Sequence, residues 1–236
     1  MKITVVYGNM RHGSTWHAVE AVIKELSKRV PTEVTEFSLP RDMPNFCAGC
    51  FTCFMHGEDK CPHAASVQPI VQAILGADLV VLASPVYVYD VSAQMKALLD
   101  HLGYLWMPHR PAPEMFTKIG LTVVTTAGAG TKRAAGTLRK SFAFWGVRRV
   151  YSLGGAVASN GWEGVSAKRR ARIAHRAEIV ARRIERSVRE KGRTHYPPFR
   201  AFLFKMMARM QKKNIWSPLD HAHWEKNGWL SGKRPF

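Results

Sequence analysis

All four cysteines fall in one short segment, as Cys47, Cys50, Cys53 and Cys61, with the spacing C-x2-C-x2-C-x7-C. Four thiolates on one loop could hold an iron–sulfur cluster, [4Fe-4S], or a zinc ion. The alternative is free or packing thiols. Such clustering does not read as a structural disulfide framework.

A second segment, Gly8-Asn9-Met10-Arg11-His12-Gly13-Ser14-Thr15, offers a different chemistry. Glycines let a backbone turn tightly and bring N–H groups close to an anion. The start of a helix adds partial positive charge and unpaired donors. Ser14 and Thr15 carry hydroxyl donors, and Arg11 can pair with phosphate oxygens. The bare alternative is a helix cap by Ser14 or Thr15 with no ligand. The segment matches neither G-x-x-x-x-G-K-[ST] nor G-x-G-x-x-G, which argues against triphosphate hydrolysis and against a dinucleotide fold.

Two further turns carry backbone donors, an aromatic and glycines; the bare alternatives are a partly buried surface aromatic at Tyr87 and an ordinary tight strand-to-helix turn at Thr125–Gly130. In Ser84-Pro85-Val86-Tyr87, Pro85 fixes the turn, and Val86 and Tyr87 offer backbone donors and a stacking face. In Thr126-Ala127-Gly128-Ala129-Gly130, the glycines permit close approach. His12, His17, His56 and His63 lie nearby in sequence without paired metal spacing and read as polar loop residues. No Ser/His/Asp or paired-carboxylate arrangement stands out. That suits a cofactor enzyme, where few side chains are obligatory.

These segments sit between regularly spaced elements. Lys2–Tyr7 is rich in β-branched residues and reads as a central parallel strand. Helix Thr15–Val30, strand Glu33–Phe37, helix Ser66–Leu75, strand Asp78–Ala83 and helix Ala93–Leu102 follow. Strand Lys118–Thr125, helix Lys132–Trp145, strand Arg149–Val157 and the long Arg-rich helix Ser166–Lys191 complete the alternation. Pro40–His63 reads as loop. The pattern predicts an α/β fold, a doubly wound five-stranded parallel sheet with a C-terminal helical extension. Right-handed crossovers put every strand-to-helix loop on one edge, where open α/β sheets bind ligands. The expected organisation is a core over 1–160, its final long helix over 161–195, and a basic, aromatic extension over 196–236.

The formal net charge over 236 residues is +18, and most of the excess lies after Glu163. A basic patch attracts nucleic acid, anionic lipid or phosphorylated cofactors. No nucleic-acid motif accompanies it, so nucleic acid is not an expected partner, and a solvated Arg-rich helix face accounts for the charge. In the extension, Phe199, Phe202, Leu203, Met206, Met207 and Met210 keep helical spacing, flanked by Arg200, Lys205, Arg209, Lys212 and Lys213. That stripe reads as packing on its own domain or on a second subunit, with peripheral membrane contact as the alternative. No apolar run approaches a bilayer span. The N-terminus reads as a strand and lacks signal-peptide features, so the expected location is the cytoplasm.

In Gly8–Thr15, Ser84–Tyr87, Ser92-Ala93-Gln94-Met95-Lys96 and the run Cys47–Cys53, the chain resembles the flavodoxin-like NAD(P)H-dependent FMN reductase family. Asp220, Trp224, Gly228 and Trp229 resemble the C-terminal extension of a larger subgroup. The resemblance implies FMN, with its phosphate held by Asn9, Arg11, Ser14 and Thr15. It places Ser84–Tyr87 along the ring and ribityl chain, and Thr126, Ala127, Gly128 and Gly130 at the ring edge. It implies NAD(P)H as donor, a small acceptor such as a quinone or flavin, and a homodimer. The cysteine run is similar to that of iron–sulfur flavoproteins, which carry [4Fe-4S] beside FMN. A flavodoxin-like electron carrier is the competing class, though pure carriers tend to be smaller and acidic. Relatives often carry Ser-Pro at Asn9-Met10, an acidic pair near Pro62-His63-Ala64-Ala65, and Asp-Arg at Asp100-His101.

Overall fold

The computed structural model describes residues 1–190 and 196–236. Its centre is a parallel sheet of β1 (Lys2–Tyr7), β2 (Glu33–Ser38), β3 (Leu79–Tyr87), β5 (Ile119–Thr126) and β6 (Arg149–Ala156). Their order is β2-β1-β3-β5-β6. A two-residue antiparallel strand, β4 (Asp90–Val91), pairs with the end of β3 and makes the sixth strand. The chain moves from β1 out to β2 and then back across to β3. The loops leaving β1 and β3 therefore diverge, and a crevice opens at the strand C-termini.

The central strands β1, β3 and β5 are apolar on both faces because helices cover both, whereas the edge strand β2 is polar and largely exposed. Alternate residues divide the core: Ile3, Val5, Leu79, Val81, Leu121 and Val123 face α1 (Ser14–Ser27) and α6 (Ala167–Arg189). Val6, Val80, Leu82 and Val124 face α3 (Ala64–Gly76), α4 (Ala93–His101) and α5 (Thr131–Phe144). Burying a large aliphatic side chain is worth about 1.5–3 kcal/mol, so this two-sided burial is the main apolar contribution that holds the sheet and its helices together.

The expected helix Ser166–Lys191 is present as Ala167–Arg189, and Lys191 lies outside the described residues. The segment expected as loop, Pro40–His63, holds one short helix, α2 (Thr52–Met55), and a 3-10 turn over Glu58–Lys60. Phe51 enters α2 in the left-handed region, which gives no periodic signal.

The extension contributes α7 (Pro198–Gln211) and α8 (Pro218–Lys226). The second was not foreseen, although Ser217-Pro218 is a helix start. The Ser217 hydroxyl accepts from the Asp220 N–H, and proline occupies the first turn. Both helices close over an aromatic cluster of their own, formed by Met107, Phe116, Tyr196, Phe204, Met207, Trp224 and Trp229.

Candidate functional site

β1 delivers its loop to the crevice through Gly8. The Gly8 N–H donates to the Ala83 carbonyl at 2.7 Å, and the Ser92 hydroxyl donates to the Gly8 carbonyl at 2.6 Å. A Cβ at Gly8 would stand 2.5 Å from Ser92 Oγ, so only glycine fits this crossing of β1, β3 and α4.

α1 begins at Gly13 with no side-chain cap and no acidic residue in its first turn. Neither Ser14 nor Thr15 is the cap. The first-turn donors and the positive end of the helix therefore face the crevice. Thr15 Oγ1 and Thr125 Oγ1 are 2.6 Å apart, which fixes the hydroxyl at the base of the loop. Asn9 Nδ2 donates to the Tyr87 hydroxyl at 3.2 Å, and Arg11 Nη2 donates to the Asn160 carbonyl at 3.1 Å.

These residues line one cleft of about 260 Å³. It brings together Asn9, Arg11, Ser14, Thr15, Pro85, Val86, Tyr87, Thr126 and Ala127 of the expected set. Gly13, Thr125, Val157, Ser159 and Asn160 complete it. The last three follow β6, whose C-terminal edge shares the crevice. Strand direction alone is the signal that points to them. No carboxylate lines the cleft among the described residues, and Arg11 is its cation. The donor set fits an anionic, phosphorylated ligand at the Gly8–Thr15 end, with the apolar surfaces of Pro85, Val86, Ala127 and Val157 available to a flat ring.

Three expected residues do not line this cleft. Ser84 is fully buried, where its hydroxyl donates to the Pro85 carbonyl and accepts from the Ser92 N–H. It braces the turn rather than facing a ligand. Gly130 lies at φ +95, and a Cβ there would stand 2.8 Å from Val86 Cγ1. Its role is close packing against the β3–β4 hairpin. Gly128 is not part of the lining, and a Cβ there would meet nothing within 4 Å.

The hairpin tip, Val88-Tyr89, projects from the cleft with both residues left-handed. Asp90 anchors it, accepting from Thr137 Oγ1 at 2.8 Å and Arg133 Nε at 3.1 Å. Burial opposes ionisation of Asp90, but the bonds from Val91 N–H, Thr137 and Arg133 outweigh it and hold the carboxyl below its usual range.

A second, smaller cavity of about 80 Å³ is lined by all four cysteines. Cys47 and Cys50 are exposed, while Cys53 and Cys61 are half-buried. The Thr52 hydroxyl donates to Cys50 Sγ at 3.2 Å, and with the Thr52 backbone it pulls the Cys50 thiol down. Burial, then the nearby Cys61 and Cys47, push Cys53 up. Four thiols line this cavity, a donor type that thiolate-bound metal centres use, while the side chains drawn together closely enough to share an ion are, among the described residues, Cys61, His63 and His101. Cys61 Sγ also lies 4.0 Å from His101 Nδ1, and the ligand atoms of Cys61, His63 and His101 all fall within 4.8 Å of one another. His63 is thus no isolated loop residue. The fold brings it to His101 across a gap in sequence that spacing could not reveal.

Arg110 joins this cavity to the extension. Its guanidinium donates to Asp220 Oδ1, to the Cys53 carbonyl and, at 3.2 Å, to Glu58. Asp220 also pairs with His109 Nδ1 at 2.9 Å, and the Trp224 indole donates to the His109 carbonyl at 2.6 Å.

Residues 1–163 match the family described as NADPH-dependent FMN reductase. The chain belongs to that family. It is therefore, at the level of class, a flavin-dependent oxidoreductase. It is 31% identical over 157 residues to an iron–sulfur flavoprotein of Archaeoglobus fulgidus, covering 65% of this chain and 68% of that one. It is 32% identical over 100 residues to an iron–sulfur flavoprotein of Methanocaldococcus jannaschii, covering 42% of this chain and 50% of that relative. Among solved structures, an NAD(P)H:quinone oxidoreductase from Methanothermobacter marburgensis superposes with a TM-score of 0.60 at 15% identity, over 78% of this chain and 97% of that one. The sheet order is that of flavodoxin-like proteins. No helix among the described residues is long and apolar enough to cross a membrane.

Proposed function

We propose that the cleft at the C-terminal edge of β1, β3 and β5 binds FMN and passes reducing equivalents from NAD(P)H to a small acceptor such as a quinone or flavin. The observation that carries this reading is the convergence of Arg11, Ser14, Thr15 and an uncapped helix start on one end of a cleft without carboxylates. Arg11 and the first-turn donors bind the phosphate. Asn9, held to the Tyr87 hydroxyl, sets the distance between the phosphate loop and the hairpin. Pro85, Val86 and Tyr87 orient the ring, and Thr126 and Ala127 bound its other side. The bound flavin supplies the hydride chemistry, so no side chain is required to be an acid or base.

The cysteine cavity favours a second centre in the same protein, a [4Fe-4S] cluster on Cys47, Cys50, Cys53 and Cys61. The two relatives of matching name support it. Those four thiolates would hold the cluster, and a cluster there would supply one-electron chemistry beside the flavin.

The absorbance spectrum of protein purified without oxygen reads both sites. Flavin bands with NAD(P)H oxidation in the presence of a quinone are the expected result. Protein that takes up no FMN would overturn the first reading. Flavin bands without iron or acid-labile sulfide would overturn the second. Flavin bound with no turnover of NAD(P)H by any acceptor would make the protein an electron carrier.

A further inference from the structure

The apolar stripe of α7 does not form one face. Phe204 and Met207 turn inward onto Trp224 and Trp229. Phe199, Phe202, Met206 and Met210 turn outward, with Phe199 73% and Phe202 63% exposed. They follow one another at three or four residues and so share a side of the helix. Past the end of the helix, Trp216 is 85% exposed and Ile215 82% exposed. Contiguous exposed aromatic and Met side chains on this scale mark an interaction surface.

What borders the row selects its partner. A cavity of about 290 Å³ opens beside it, between α7 and the chain end, rimmed by Lys205, Arg209, Lys212, Lys233 and Arg234. Among the described residues it has no carboxylate. Arg200, by contrast, is turned inward and donates to the carbonyls of Val147 and Arg148, so it takes no part. Two copies of this face brought together would oppose like charges, on a chain that already carries +18. A surface both apolar and anionic satisfies the row and the rim together.

We infer that α7 docks the protein on anionic lipid. Phe199, Phe202, Met206, Met210 and Trp216 enter the headgroup–acyl boundary, and the cavity rimmed by Lys205, Arg209 and Lys212 takes the lipid phosphate. Cosedimentation with vesicles of equal parts phosphatidylglycerol and phosphatidylcholine tests it on the full chain. Wild-type protein should pellet with these vesicles and stay in solution with phosphatidylcholine alone. The surface variants F202S/M206S and K205E/R209E, with unchanged circular dichroism and melting, should each lose affinity by roughly tenfold or more. Wild-type protein left in the supernatant with the anionic vesicles would overturn the inference. So would F202S/M206S binding as wild type does, since attraction would then be charge alone. A wild-type dimer in solution that F202S/M206S returns to monomer would assign the face to a second copy and likewise overturn it.

Discussion

The Arg110 guanidinium donates at once to Asp220 of α8 and to the Cys53 carbonyl of the cysteine loop. Arg110 and Asp220 are both buried, with Asp220 1% exposed. A residue near the end of the chain therefore helps to hold the backbone of the cysteine run. Removing one partner of such a pair strands the other charge in a low-dielectric site. Asp220→Ala is expected to cost about 3 kcal/mol, at the low end for a broken buried pair, because Glu58 and the Cys53 carbonyl still bind Arg110. The midpoint of urea unfolding checks the cost. Faster alkylation of Cys53, by mass spectrometry, checks that the loop is what the pair holds.

Val88 is a β-branched residue at φ +46 and 98% exposed, at the tip of a two-residue turn between Tyr87 and Asp90. Left-handed backbone costs a branched side chain about 1–2 kcal/mol, and here no packing repays it. Val88→Asn should therefore stabilise the fold by about 1 kcal/mol. A thermal melt that rises supports this account of the turn. One that falls would mean that Val88 makes contacts in solution.

Burial lowers the basicity of His101 and His223, against the opposing pull of the Asn45 and Pro111 carbonyls they contact. A folded-state pKa below the unfolded value means that the fold prefers the neutral ring. The stability this gives is present above about pH 6.5, the unfolded value, and is lost as pH falls through the lower folded values. Urea midpoints should fall between neutral pH and mild acid. His223→Gln should flatten that slope, keeping a donor toward the Pro111 carbonyl.

The sheet was readable because its central strands β1, β3 and β5 are near-continuous apolar runs separated by amphipathic helices, and both patterns are local. The Gly8–Thr15 loop was readable for the same reason. What was not local was hidden. Ser159 and Asn160 join the cleft only through the parallel direction of β6. His63 meets His101, and Arg110 meets Asp220, only through tertiary packing. Ser84 and Gly130 occupy the expected turns but serve their packing, since motif position does not say which way a side chain points. The stripe of α7 kept one helical period while containing two faces, because a row of apolar residues wide enough can supply both.

The account centres on a phosphate end built by Arg11 and the start of α1. The direct measurement is the affinity of flavin-free protein for FMN and for riboflavin, by flavin fluorescence, in wild type and Arg11→Ala. Wild type should prefer FMN. Arg11→Ala should weaken FMN by roughly 10- to 100-fold, as expected for loss of a charge-assisted pair, while riboflavin, which lacks the phosphate, should bind both proteins alike. Equal wild-type affinity for FMN and riboflavin, or an Arg11→Ala protein that binds FMN as tightly as wild type, would contradict it.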